Sequence, residues 1–273
     1  MKLEFTKMEG LGNDYIYVDA TRFQVSDPSE LAVRLSDRHF GIGADGLVLI
    51  GRSGSADFSM RMFNADGSEG MMCGNAARCI AKYVYDKGLT HSTEITLETP
   101  SGIKRLSLHL AGGEVESVTV DMGKAVIRQG LVAVEAAGRT FEGIIVDVGN
   151  PHFVIPCDDA DAVDLNLFGP AVERHPMFPG RTNVEFISHM APTILSSASS
   201  RLRMRVWERG SGITLACGTG ACAAAAAAVS SGMVSSPCEI VMDGGTLAVS
   251  CNEDGTLLMK GPARTVFEGT IDI

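Results

Sequence analysis

The sequence predicts an α/β (α+β) protein made of two pseudo-symmetric domains, and three observations carry that reading. A set of landmarks recurs in the same order about 140 residues later, the mark of an internal duplication. Each half runs through short strands before one prominent helix. Both helices open on near-copies of one string, Cys73-Gly74-Asn75-Ala76 and Cys217-Gly218-Thr219-Gly220. The first set of landmarks is Gly12-Asn13-Asp14, Arg38-His39, Asp66-Gly67-Ser68 and Cys73-Gly74. The second is Gly149-Asn150-Pro151-His152, Arg174-His175, Arg209-Gly210-Ser211 and Cys217-Gly218.

Taken in order, Ile16-Tyr17-Val18 and Leu47-Val48-Leu49-Ile50 are apolar runs bounded by turn residues, as short strands should be. Phe58 to Phe63 alternates apolar and polar with period two, which predicts a half-buried strand. From Cys73 to Lys87 nothing breaks a helix after the first turn, and Gly88 supplies a C-cap. In the second half, Ile144 to Val148, Val184 to Ile187 and Leu202 to Trp207 read as strands. Ala221 to Val229 reads as a helix buried on most sides, ending near Ser231-Gly232. Strands at Ile240-Val241-Met242, Leu247-Ala248-Val249 and Leu257-Leu258-Met259 complete the second sheet. Ser196-Ser197-Ala198-Ser199-Ser200 reads as a loop. Domain edges are expected at Gly112-Gly113 and at a Gly261-Pro262 turn. That divides the chain into residues 1–113, completed by 263–273, and residues 114–262.

Composition removes several classes of function. A net charge of −10 lacks the basic footprint of a nucleic-acid binder. No apolar run reaches the length of a membrane span, and the charged start Met1-Lys2-Leu3-Glu4 is no secretory signal. A cytoplasmic protein is therefore expected. Seven cysteines, an odd number in a chain able to bury its own core, favour reduced thiols. No Cys-x-x-Cys pair and no spaced histidines appear, so a structural zinc site is not expected. Cys79, Cys157, Cys222, Cys238 and Cys251 are read as small core residues.

Cys73 and Cys217 are different because each opens a helix. A thiol there meets the positive end of the macrodipole and unpaired N–H groups, which predicts a lowered pKa. Glycines beside it let backbone N–H groups approach a carboxylate. Two such thiols addressing one substrate could take a proton from one face and return it on the other. That is the chemistry of a cofactor-independent racemase.

The strings Gly10-Leu11-Gly12-Asn13-Asp14, Asn64-Ala65-Asp66-Gly67-Ser68, Cys73-Gly74-Asn75, Gly149-Asn150-Pro151-His152, Thr182-Asn183-Val184-Glu185-Phe186 and Glu208-Arg209-Gly210 closely resemble the diaminopimelate epimerase family. The resemblance runs in order from about residue 5 to residue 230. It implies interconversion of LL- and meso-diaminopimelate, a small amino-acid substrate on the route to lysine and peptidoglycan, without pyridoxal phosphate or metal. It implies domains that are each a curled, mostly antiparallel sheet around a central helix, an active site in the cleft between them, and a homodimer. Carried over residue by residue, Cys73 and Cys217 are the acid–base pair. Gly74, Asn75, Gly218 and Thr219 bind the reacting carboxylate. Asn13, Asn64, Asn150, Asn183, Glu208 and Arg209 read the remaining charged groups, and His152 and Glu208 assist beside the reacting centre. Arg209, directly before a glycine turn, suits a bidentate clamp on the distal carboxylate.

The chain departs from the family's usual pattern at Glu9, Tyr15, Gly46 and Ser211-Gly212-Ile213-Thr214. Gly46 stands where some members carry Gln, which questions a polar contact there. Three competing readings remain. Another racemase on the same scaffold, for proline, hydroxyproline or a basic amino acid, is opposed by Asn75, where proline-type members carry His, and by Arg209. A phenazine-type isomerase shares the fold but lacks the cysteine pair, and a non-catalytic thiol or metal-binding module is opposed by the absence of ligand spacing in this chain.

Overall fold

The strand Lys2–Gly10 is the seam of the first half, pairing antiparallel with both Asn13–Asp19 and the C-terminal strand Arg264–Asp272. A computed structural model describes residues 2–128, 130–191 and 200–273. Within it the chain separates into two compact units, Met1–Val120 with Lys260–Ile273, and Asp121–Met259. In the first unit Asn13–Asp19 runs parallel to Gly46–Gly51. Parallel neighbours need a crossover, and helix α1 (Pro28–Ser36) lies in it. Gly46–Gly51 is antiparallel to Phe58–Asn64, which in turn is parallel to Glu94–Thr99. Helix α2 (Gly74–Asp86) occupies that second crossover. The strand Gly102–Ala111 then continues antiparallel.

The second unit repeats this order of pairings. Arg139–Asp147 is antiparallel to Pro151–Pro156, which is parallel to Asn183–His189 across helix α3 (Leu165–Glu173). Asn183–His189 is antiparallel to Arg201–Glu208, itself parallel to Cys238–Met242 across helix α4 (Gly218–Ser230). Gly245–Cys251 closes antiparallel. The duplication read from scattered landmarks is thus a duplication of strand order and direction.

Each long helix is surrounded by strands of its own unit. α4 lies against Arg139–Asp147, Pro151–Pro156, Asn183–His189, Arg201–Glu208, Cys238–Met242 and Gly245–Cys251. That crowding explains its alanines: Ala223 through Ala228 are all buried, and larger side chains would hold the strands away. α2 packs on Lys2–Gly10, Asn13–Asp19, Gly102–Ala111 and Arg264–Asp272. Its end is as read, with Gly88 at φ +69° beyond the Lys87 cap.

Three expectations need adjusting. Gly112-Gly113 is the tight turn between Gly102–Ala111 and Glu114–Lys124, with φ of +61° and +90°, and the units part at Val120 and Asp121 instead. Two consecutive positive φ values suit glycine in a hairpin as well as at a domain edge, so composition alone misplaced the boundary. Gly261-Pro262 is no turn but the end of the strand Thr256–Pro262. Each unit also carries a second helix, α1 or α3, where one prominent helix was read. The loop read at Ser196 to Ser199 lies outside the described residues. Among the described residues no helix is long and apolar enough to cross a membrane.

Candidate active site

Both singled-out cysteines are helix N-caps. Cys73 is extended (φ −134°, ψ 121°) before α2, and its sulfur accepts from Ala76 N–H at 3.5 Å. Cys217 (φ −121°, ψ 110°) stands before α4, and its sulfur accepts from Gly220 N–H at 3.4 Å. An N-cap side chain takes up an N–H that the first turn leaves unpaired, so the cap geometry holds each sulfur at the mouth of its helix. Gly74 and Gly218 are the first residues of those helices.

Around Cys73 the groups are mainly amides. Its thiol donates to Asn13 Oδ1 at 3.5 Å, and Asn75 Nδ2 donates to the same oxygen at 3.3 Å. Asn13 Nδ2 donates to Asp45 Oδ2 at 2.8 Å, which fixes the amide with its carbonyl toward the sulfur. Asp45 is itself held by Arg38 at 3.0 Å, and Arg38 and Lys7 both pair with Asp14. Burial pushes the Asp14 carboxyl up, but hydrogen bonds from Arg38 and Lys7 outweigh it and hold the group below the usual carboxylate range. Arg78, fully buried one turn into α2, donates to Asn75 Oδ1 at 2.8 Å and to the Pro262 carbonyl at 3.0 Å. Asn64 donates to Ser68 Oγ at 3.0 Å, in the turn that leads to Cys73.

Cys217 sits in a more charged and more buried setting. Thr219 Oγ1 is 3.5 Å from its sulfur and accepts from Asn150 Nδ2 at 3.4 Å. Asn150 Oδ1 is 3.0 Å from His152 Nε2, and His152 Nδ1 is 2.7 Å from Glu185 Oε1. His152 and Glu185 are both completely buried. Glu208 accepts from Thr214 Oγ1 and is hydrogen-bonded to the Cys217 thiol. Burial raises the Glu208 carboxyl, with the Glu185 charge adding to it, against the hydrogen bonds from Thr214 and Cys217.

One sequence expectation fails here. The Cys217 thiol is pushed well above its ordinary value, not lowered. Burial is the largest cause, and the Glu208 and Glu185 charges add to it; contacts with Thr219 and the Gly220 N–H only partly oppose them. Desolvation and two carboxylates outweigh the helix terminus.

The remaining candidates form a brace beside the second cysteine. Asn183 donates to the Pro151 carbonyl at 2.8 Å and accepts from Arg209 N–H at 2.9 Å. Glu173, at the end of α3, accepts from Gly210 N–H at 3.1 Å and from Trp207 Nε1 at 2.8 Å. Together they hold the Arg209-Gly210 turn, where the exposed Arg209 side chain donates to the Gly180 carbonyl at 3.1 Å. Gly46 has no room for a side chain: a Cβ there would lie 2.0 Å from the Phe63 carbonyl oxygen and 2.8 Å from the Tyr15 ring. Glu9 instead serves the Leu11-Gly12 turn, accepting from Gly12 N–H at 2.9 Å.

Sequence reasoning passed over Asp45, Arg78 and Glu185. Asp45 directly precedes Gly46, a position already singled out, but nothing in the string tied it to Asn13. Arg78 and Glu185 each interrupt a run that is otherwise buried, and a charge within an apolar element is a signal in its own right.

Each copy of the duplicated α/β scaffold thus carries one cysteine-capped helix. The chain belongs to the diaminopimelate epimerase family: the family model described as "Diaminopimelate epimerase" matches residues 5–128 and 144–266. It is 55% identical to the diaminopimelate epimerase of Phocaeicola vulgatus, with 99% of each chain covered. It is 44% identical to that of Leptospira biflexa, with 100% of each covered. The chain is an amino-acid epimerase. Solved structures with the same fold include a phenazine biosynthesis protein of the PhzF family from Bacillus anthracis (14% identity, TM-score 0.77, 100% of both chains). A hydroxyproline epimerase from Agrobacterium vitis follows (15% identity, TM-score 0.67, 99% of this chain and 91% of that one).

Proposed function

We propose that the protein interconverts LL- and meso-diaminopimelate through a two-thiol, cofactor-independent proton transfer. The observation that carries this reading is the equivalence of Cys73 and Cys217, each capping the second crossover helix of one copy of the fold. In one direction Cys73, as thiolate, takes the α-proton and becomes a thiol. The electron pair left on the α-carbon is stabilised through the substrate carboxylate, and the Cys217 thiol gives its proton to the opposite face. In the other direction the roles exchange. The raised Cys217 makes it the resting donor, and the same burial makes its thiolate a strong base in return.

The carboxylate of the reacting centre is taken by the N–H groups opening α2 and α4, at Gly74, Asn75, Gly218 and Thr219, where dipole and unpaired donors coincide. Asn13, Asn64 and Asn150 supply neutral polar contacts. Arg209 meets the distal carboxylate, and Asn183 serves by holding the Arg209 turn. Glu208 and His152 tune the second thiol.

The test is α-hydrogen exchange followed by NMR, with LL-diaminopimelate in D₂O, reductant and chelator. Wild type is expected to incorporate deuterium and form the meso isomer. Cys73→Ala and Cys217→Ala should each lower epimerisation by at least ~10²–10⁴-fold, the usual contribution of a positioned proton-transfer group. Exchange with proline or another amino acid but not with diaminopimelate would keep the two-thiol mechanism and replace the substrate. Full activity in either variant would end the mechanism.

A further inference from the structure

We propose that Glu185 is a positioning residue for this epimerisation, acting on the substrate through His152 and Asn150. The inference rests on the function proposed above, and its starting point is a proton count. His152 Nε2 faces Asn150 Oδ1 at 3.0 Å and Nδ1 faces Glu185 Oε1 at 2.7 Å. Both partners are oxygens that accept, so both ring nitrogens donate and His152 is an imidazolium paired with the Glu185 carboxylate. Nε2–H then pins the Asn150 carbonyl, which leaves the Asn150 amide N–H pointing at Thr219 Oγ1. Thr219 in turn touches the Cys217 sulfur. The orientation of a substrate-reading amide is thus set two residues away.

The strands explain how the pair meets. His152 and Asn183 are opposite each other in the parallel ladder, and Glu185 lies two positions on, back on the same face. Its Oε1 reaches the first turn of α4, where a Cβ on residue 220 would lie 2.9 Å away. This accounts for glycine at position 220, where the first unit has Ala76.

The fold itself does not call for this pair. Matching the two parallel ladders places Tyr15 at the His152 position and Val48 at the Glu185 position, and both are buried in the first unit. Glu185 Oε2 is buried with no hydrogen-bond partner among the described residues. A carboxylate with one oxygen unpaired is a costly way to fill a site that valine fills equally well. Its purpose is the proton arrangement it imposes. With Gln at 185, the imidazole loses its counter-charge and keeps one proton, directed at the Gln oxygen. Nε2 then accepts, the Asn150 amide turns over, and Thr219 meets a carbonyl where it met an N–H.

The experiment has a spectroscopic arm and a kinetic arm. In ¹⁵N spectra of the substrate-free enzyme, with His152→Gln identifying the signal, His152 is expected to show two protonated ring nitrogens at neutral pH. Glu185→Gln should leave one. The same variant should raise KM for diaminopimelate roughly tenfold to a hundredfold, the scale of a lost hydrogen bond to a charged group, and should add nothing in an Asn150→Ala background. An unprotonated His152 nitrogen in wild type would overturn the proposal whether or not the variant folds. So would an unchanged KM with activity lost only in step with melting temperature. The spectrum needs no substrate, so failure of wild type to exchange diaminopimelate would strike the functional reading while leaving this test intact.

Discussion

Where Tyr15 faces Gly46 in the parallel ladder of the first unit, His152 faces Asn183 in the second, and two positions on Val48 is matched by Glu185. The end of the next strand differs as well: Asn64 stands at the same distance before Cys73 as Glu208 does before Cys217. The same backbone therefore carries an amide-lined thiol in one copy and, in the other, a thiol near the half-buried Glu208 and the fully buried Glu185. Duplication fixed where the sulfurs stand, and divergence of a few neighbours gave them different surroundings.

The largest expected effect comes from taking the buried pair apart. Glu185→Val alone leaves a buried His152 ring nitrogen without its partner, and urea denaturation should show a loss of about 1–3 kcal/mol. Adding His152→Leu removes the unpaired ring and should restore most of that stability, because an apolar pair of similar volume often equals or exceeds a buried ion pair. If the double variant is no more stable than the single one, the ion pair is structural after all, and the contrast with Tyr15 and Val48 loses its meaning.

A smaller effect sharpens the contrast between the sulfurs themselves. Cys73 is partly exposed, whereas Cys217 is 5% exposed and its thiol is pushed up by burial and the Glu208 and Glu185 charges. Since the thiolate is the nucleophile, alkylation at pH 8, mapped by mass spectrometry, should modify Cys73 at least ~10-fold faster. Glu208→Gln removes a negative charge beside Cys217. A carboxylate disfavours a neighbouring thiolate, so its loss should move the onset of Cys217 alkylation to lower pH. Equal rates in wild type, or an onset that moves upward, would contradict the asymmetry.

Much of this was legible in the string, for reasons that differ by residue. Cys73 and Cys217 could be found because a cap residue, its glycine and its helix are contiguous, and the repeat supplied a second copy to check against. Ala221 to Val229 announced its burial by composition. The long-range ties were not legible: nothing in sequence links Glu185 to His152, or Arg78 to Pro262, until strands are paired and a helix is laid on them. Nor could the sign of the Cys217 shift be read. A helix terminus is visible in sequence, but the carboxylates that outweigh it come from other strands.

The crossover helices carry the smallest expected effect and show where the two copies remain alike. α1 begins with Asp27-Pro28-Ser29-Glu30, a capping residue, a proline in the first turn and an acid three residues on. Asp27 Oδ1 accepts from Glu30 N–H at 3.0 Å. α3 begins the same way at Asp164, whose Oδ1 accepts from Leu167 N–H at 3.2 Å. That signal stood in the sequence for α1, and Pro170 inside α3 disguised its counterpart. Asp27→Ala and Asp164→Ala each remove one cap and should each cost about 1 kcal/mol in thermal or urea unfolding. α1 carries no candidate group, and Asp164 caps the end of α3 opposite Glu173, which braces the Arg209 turn, so kcat and KM should stay unchanged. Equal losses would mean that the scaffold kept its symmetry while the thiol surroundings gave it up. A clear kinetic effect from either substitution would place a crossover helix in the site and extend the asymmetry into the scaffold.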